Sequence, residues 1–310
     1  MTITTRRSVA LTAAAGAIAF GLAACGGGDT EGGNDDTNGG NGGDNAGGTL
    51  AELQESGTIT VGINGEEPYS FLDDEGNPTG ATIAIHEAVF AELGIDDIEA
   101  TVVDWDALIP GLNAGRFDAI SAGMSILPDR CAEADFGVPE IMYTTGLMVP
   151  EGNPNGLATL QDLVDTDLTL AVGSGAIEEG YADSLEIEYE TVGTPEDGME
   201  LVEAGRVDAY ALTGISLRAL AERNPDVPVE VTESFVAEVD GISQVGAGAT
   251  VFRPDDDEFR EAYNEAYRSV IGSAADFESV VGEFGFSEAE YAPEDITTEM
   301  LCAGELPEAG

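Results

Sequence analysis

The chain has no lysine, one histidine (His86), one tryptophan (Trp105) and three cysteines (Cys25, Cys131, Cys302). Ten arginines are its whole cationic complement against 61 acids, for a formal net charge of -51. A surface of one sign repels phosphate backbones and anionic headgroups, so functions built on polyanion binding are excluded. One His and three Cys leave no material for a structural zinc site or a Cys/His nucleophile pair, and no cofactor motif is present. Such a chain also repels itself. Molar salt shortens the screening length to about 3 Å and relieves that repulsion, so the composition predicts a protein adapted to saline surroundings.

Long apolar runs are equally scarce. The run from Val9 to Ala24, preceded by Arg6 and Arg7, is too short and too rich in Ala and Gly for a membrane span. It reads as a secretion signal over residues 1–24, whose removal takes the net charge to -53 because the segment holds two arginines and no acid. Leu22-Ala23-Ala24-Cys25 has the pattern of a bacterial lipoprotein cleavage box, which would make Cys25 an acylated N-terminus. The arginine pair permits twin-arginine export, but Ser8-Val9-Ala10 matches that signal poorly, so either route stands. After Cys25, residues 26–48 are Gly, Asn, Asp and Thr with almost no apolar side chain. Such a stretch cannot offset its ordering entropy, and 25–48 reads as a lipidated, disordered tether with a mean reach of roughly 27 Å. With Cys25 acylated, Cys131 and Cys302 remain as a pair in an oxidising compartment, where a disulfide is expected.

About 260 residues follow the tether, more than one compact core usually holds. Strand patterns at 58–63, 100–103 and 118–122 alternate with helix patterns at 82–93 and 105–114, an order that builds a doubly wound α/β sheet. The grammar restarts after Pro150: strands at 168–172 and 207–212, helices from Ala176 and at 195–203 and 215–223. A strand at 246–252 and an amphipathic helix at 255–271 close the chain. GRFDAI and GRVDAY, about 90 residues apart, read as the same helix-to-strand corner in each half. The expectation is two doubly wound lobes joined by two crossings near Met148 and Val245, with lobe 1 over 49–147 plus 247–310 and lobe 2 over 148–246. Ligand belongs between them, at the carboxyl ends of the strands. His86 falls among core-facing helix positions and is expected to be packed.

The segment GRFDAISAGMSILPDRCAEADFGVP, residues 115–139, is the most informative. A buried strand leads into Ser125, Pro128 breaks it, and Arg130 follows at the carboxyl end of the strand. There its rigid five-donor fork can grip a carboxylate, or it can pair on the surface with Asp129 or Glu133. The chain resembles the extracytoplasmic solute-binding proteins of ABC importers, in the cluster of polar amino-acid and ectoine binders. The likeness runs from about Thr58 to Cys302 through TVGINGEEPYSF, DWDALIPGLNAGRFDAI, the Ser125-to-Arg130 run, GRVDAYALT and FGFSEAE. It is strongest to the ectoine/hydroxyectoine type.

The resemblance implies a type II periplasmic-binding-protein-like fold and a monomer that hands a small zwitterion to ABC permease subunits, touching the membrane through its lipid alone. In that picture Arg130, with Ser125, holds the ligand carboxylate, Tyr69 and Trp105 face its cation, and Glu66 takes its N–H groups. Gly173-Ser174-Gly175-Ala176 offers backbone N–H groups at a helix start, and Glu178 faces either cleft or solvent. Where amino-acid-binding relatives carry an Asp for the α-ammonium, this chain has Thr213. A hydroxyl cannot replace a desolvated ion pair, which disfavours an ordinary α-amino acid and favours a diffuse cation such as the cyclic amidinium of ectoine. Against the ectoine pattern, an aromatic is missing at Ser125. A dehydratase-like enzyme on the same scaffold would need an acid/base pair, and neither Glu66 nor Glu178 has an evident partner in sequence.

Overall fold

A computed structural model of the chain describes residues 48–239 and 242–305. The signal, Cys25 and the tether up to residue 47 lie outside the described residues.

The first lobe opens with α1 (Thr49–Ser56), β1 (Thr58–Ile63), the short hairpin β2 (Phe71–Leu72) and β3 (Pro78–Thr79), and α2 (Ala81–Glu92). It continues through β4 (Asp97–Val102), a 3-10 turn at Trp105–Ala107, α3 (Leu108–Asn113), β5 (Ala119–Ser125), α4 (Pro128–Cys131), β6 (Asp135–Phe136) and β7 (Ile141–Met142). The second sheet is built from β8 (Thr145–Pro150), β9 (Leu170–Gly173), α5 (Ile177–Ser184), β10 (Tyr189–Val192), α6 (Pro195–Glu203), β11 (Ala209–Thr213), α7 (Gly214–Arg223) and β12 (Val229–Val231). A small hairpin, β13 (Glu238–Val239) with β14 (Ile242–Ser243), precedes the return through β15 (Ala247–Phe252), α8 (Asp257–Val270), α9 (Ala274–Val281) and α10 (Thr298–Cys302).

The first sheet has the order β4-β1-β5-β15-β6, with β7 also on β15, and the second the order β10-β9-β11-β8-β12. Within the first, β1 pairs in parallel with β4 and β5, while β15 runs antiparallel to β5, β6 and β7. Within the second, β9 is parallel to β10 and β11, whereas β8 is antiparallel to β11 and β12. Each doubly wound sheet thus holds one reversed strand, the one that has just crossed from the other lobe. Sequence reading missed β8, and the reason is physical. Leu147 and Val149 enter one core layer and Met148 the layer behind, so the strand is buried on both faces and shows no alternation. Because β8 already begins at Thr145, the chain changes sheets between Met142 and Thr145, earlier than the Met148 position read from sequence; the return lies between Ser243 and Ala247.

Apolar layers cover both faces of each sheet. His86 lies fully buried on α2 with Nε2 2.6 Å from Thr250 Oγ1. Thr250 and Tyr263 in turn donate to Glu140 Oε1 at 2.8 and 2.7 Å. Cys131 at the end of α4 and Cys302 at the end of α10 form a disulfide across 171 residues, with Cα atoms 5.6 Å apart. It fixes the C-terminal helix against the turn that carries Arg130.

Candidate functional site

Both sheets point their strand ends at one cleft containing about 650 Å³ of empty space, open solvent at its mouth included. Glu66, Tyr69, Trp105, Ser125, Arg130, Ser174, Ala176, Glu178 and Thr213 all line it. Residues nearly 150 positions apart in sequence meet there because β1, β5, β9 and β11 all end at this crevice.

Arg130 is fixed by α4, which Pro128 opens. Its Nη1 donates to the Ser125 carbonyl at 3.0 Å and its Nη2 to the Gly175 carbonyl, in the other lobe, at 2.7 Å. Its guanidinium carbon sits 5.3 Å from the Trp105 ring centroid, within cation–π range. Burial lowers the Arg130 pKa from its ordinary value, with Tyr143, Glu178 and Asp106 opposing. The surface pairing with Asp129 or Glu133 does not form; no ion pair to either is present among the described residues. One consequence was not legible in sequence: a face of Trp105 is taken by the protein's own cation.

Tyr69 is buried and packs edge-on against Tyr143 (6.0 Å between centroids) and Phe286 (5.4 Å). Its hydroxyl donates to Thr213 Oγ1 at 3.4 Å, Thr213 Oγ1 to Ser216 Oγ at 3.0 Å, and Ser216 Oγ to Glu66 Oε1 at 2.6 Å. This chain of hydroxyls crosses between lobes twice. Asn64 Nδ2 adds a donor to Glu66 Oε2 at 3.3 Å. Burial nonetheless raises the Glu66 pKa, the hydrogen bonds only partly opposing it.

Glu178 resolves to the cleft. It is fully buried, Thr145 Oγ1 donates to its Oε1 at 3.3 Å, and burial pushes its pKa up to about 7. The helix start expected to receive an anion is already satisfied from within. Ser174 N donates to the Val192 carbonyl, Ala176 N to the Gly173 carbonyl, and Gly175 N to Glu179 Oε2 at 2.7 Å. An incoming carboxylate would have to displace Glu179 there. Gly175 itself turns its carbonyl to Arg130 and does not line the cleft wall.

Sequence reading overlooked Asn64, Tyr143 and Ser216. Tyr143 is buried, lines the cleft and donates to the Gly123 carbonyl. It supplies a further aromatic to the cleft that Ser125 also lines, from the crossing segment just before the unrecognised strand β8. Gly123 admits both tyrosines: at φ 54° it occupies the left-handed region, and a Cβ there would lie 2.8 Å from Tyr69 Cδ1 and 3.1 Å from the Tyr143 hydroxyl.

The model describing bacterial extracellular solute-binding proteins, family 3, matches residues 59–274. The chain belongs to that family. This family-3 solute-binding protein is 31% identical over 262 residues to a probable amino-acid ABC transporter periplasmic-binding protein, y4tE, of Sinorhizobium fredii, covering 82% of this chain and 86% of that one. It is 23% identical over 198 residues to the L-cystine-binding protein TcyJ of Escherichia coli, covering 63% and 74%. Among solved structures, EhuB in complex with hydroxyectoine superposes with a TM-score of 0.72 at 29% identity, over 82% of this chain and 97% of that one. An ancestral arginine-binding protein bound to arginine shares the fold with a TM-score of 0.64 at 23% identity, over 74% and 98%. The fold is that of the periplasmic binding proteins, and the family-3 protein is an extracytoplasmic solute-binding protein of the ABC-transporter type, not an enzyme.

Proposed function

We propose that the chain captures ectoine or hydroxyectoine and delivers it to the permease of an ABC importer. The observation that carries this reading is Thr213: the place from which amino-acid binders answer an α-ammonium holds a neutral hydroxyl already engaged with Ser216 and Tyr69. A zwitterion with a delocalised cation then fits the remaining groups. Arg130 takes its carboxylate in place of the Gly175 carbonyl, Glu66 receives ring N–H groups, and Tyr69, Tyr143 and Trp105 enclose the ring. The likeness to a hydroxyectoine complex supports the same reading.

In this proposal Cys25 carries the lipid, residues 26–48 form the tether, and the two lobes close on the solute from opposite sides. A second reading, a polar amino-acid binder, is favoured by Ser125 standing where an aromatic is expected and by the amino-acid transporter relative. Calorimetric titration with ectoine, hydroxyectoine, glycine betaine, proline, glutamine and histidine separates the two. Tight ectoine or hydroxyectoine binding is expected; tight histidine or glutamine binding with no response to ectoine would reverse the assignment.

A further inference from the structure

The cleft is short of hydrogen-bond donors on both walls. In lobe 2, Glu178 has no solvent exposure, and its Oε2 has no hydrogen-bond partner. In lobe 1, Asn64 Oδ1 is likewise buried without a partner, beside the carboxylate of Glu66. A buried acceptor left unmade costs about 1–3 kcal/mol, and more when it carries charge. The Glu178 carboxyl is served by its own backbone N–H and by Thr145 Oγ1, yet Oε2 and Asn64 Oδ1 have no donor at hydrogen-bond geometry. Arg130 is directed at the Ser125 and Gly175 carbonyls, and the backbone N–H groups of residues 174–176 are bonded to Val192, Glu179 and Gly173.

Resting on the reading of this cleft as a zwitterion site, we infer that the ligand's cationic end presents at least two N–H donors in divergent directions, one to Glu178 in lobe 2 and one to the Glu66–Asn64 pair in lobe 1. The matching chemistry is an amidinium- or guanidinium-type cation joined to a carboxylate. Quaternary ammonium solutes fail despite the aromatic lining, because their methyl groups bring no proton to either wall and leave both acceptors desolvated. A site built around such hydrogen bonds discriminates far more strongly than an apolar pocket does. The bland alternative is a Glu178 that merely packs, in which case an isosteric amide serves equally well.

The test is calorimetric titration of the parent and of E178Q with ectoine, L-arginine and glycine betaine at pH 8, with thermal unfolding of both ligand-free proteins. The parent is expected to bind ectoine or arginine at least 100-fold more tightly than glycine betaine. E178Q is expected to lose at least tenfold of that affinity while unfolding at no lower temperature than the parent. Arginine binding that depends on Glu178, with ectoine ignored, supports the donor inference and sinks the ectoine assignment. Ectoine binding unchanged in E178Q does the reverse. Glycine betaine binding within tenfold of the N–H-bearing solutes, or a parent that captures neither of them, overturns the inference on the parent alone, whatever the variant's folding.

Discussion

Arg130 Nη2 donates to the carbonyl of Gly175 at 2.7 Å, and the two residues belong to different lobes. The guanidinium proposed to grip the ligand's acid end therefore also ties the lobes together in this structure. A carboxylate competes well for that donor, since a charge-assisted hydrogen bond is roughly twice as strong as one to a neutral carbonyl.

Replacing Arg130 should separate its fork geometry from its charge. R130A is expected to weaken solute binding by about 2–5 kcal/mol, the usual penalty for truncating one member of a desolvated charge pair. R130K keeps a cation but not the paired donors and should fall between parent and R130A. Titration calorimetry reads both; an R130A protein that binds as the parent does would place the carboxylate elsewhere.

Gly123→Ala tests whether the glycine is needed for tyrosine approach. The substitution meets Tyr69 at 2.8 Å and forces Ala to φ 54°. Loss of about 1–3 kcal/mol of stability is expected from the backbone alone, together with displacement of Tyr69 and a fall in affinity. Chemical denaturation and a Tyr-sensitive near-ultraviolet spectrum check the two effects independently.

Stability should fall as pH rises from about 4.5 to about 7. Burial raises Glu140 and Glu178 to about 7, so across that window the folded chain retains two protons that the unfolded chain releases near its ordinary glutamate value. His86 acts oppositely: burial lowers it to about 3, so the unfolded chain holds one extra proton up to about pH 6.5. Two protons outweigh one, and Glu66, also raised by burial, adds to the same side, so stability declines through the middle of the window and levels off above about 7. Glu140→Gln should flatten the slope. Equilibrium denaturation of parent and E140Q at half-unit pH steps measures it, and a parent stability that climbs between pH 5 and 7 would refute the assignment.

The net charge of -51 predicts that salt stabilises the fold. Going from about 10 mM to about 1 M salt shortens the screening length from about 30 Å to about 3 Å, which removes most of the self-repulsion. The unfolding midpoint should rise by several degrees over that range. An unchanged midpoint would show that the acids are spaced too widely to matter.

The sequence by itself determined the class of fold, and it named residues that the structure brings to one cleft. Strand and helix periods place β1, α2, α6, α7 and α8 nearly to the residue, because their apolar positions repeat at the spacing the core requires. Strand ends and helix starts of a doubly wound sheet turn toward one crevice, which marks the neighbourhood of Arg130, Trp105 and Thr213; the resemblance to a known family is what singled these residues out. Only tertiary structure decided the rest. β8 carries no alternation because both its faces are buried, so neither the strand nor Tyr143 just before it announces itself. The relay from Tyr69 through Thr213 and Ser216 to Glu66 and the bond from Arg130 to Gly175 are juxtapositions across two lobes, while the guanidinium over Trp105 joins two separate turns of one lobe. A local pattern fixes which residue types stand in a segment; which donor meets which acceptor depends on how the two sheets face each other.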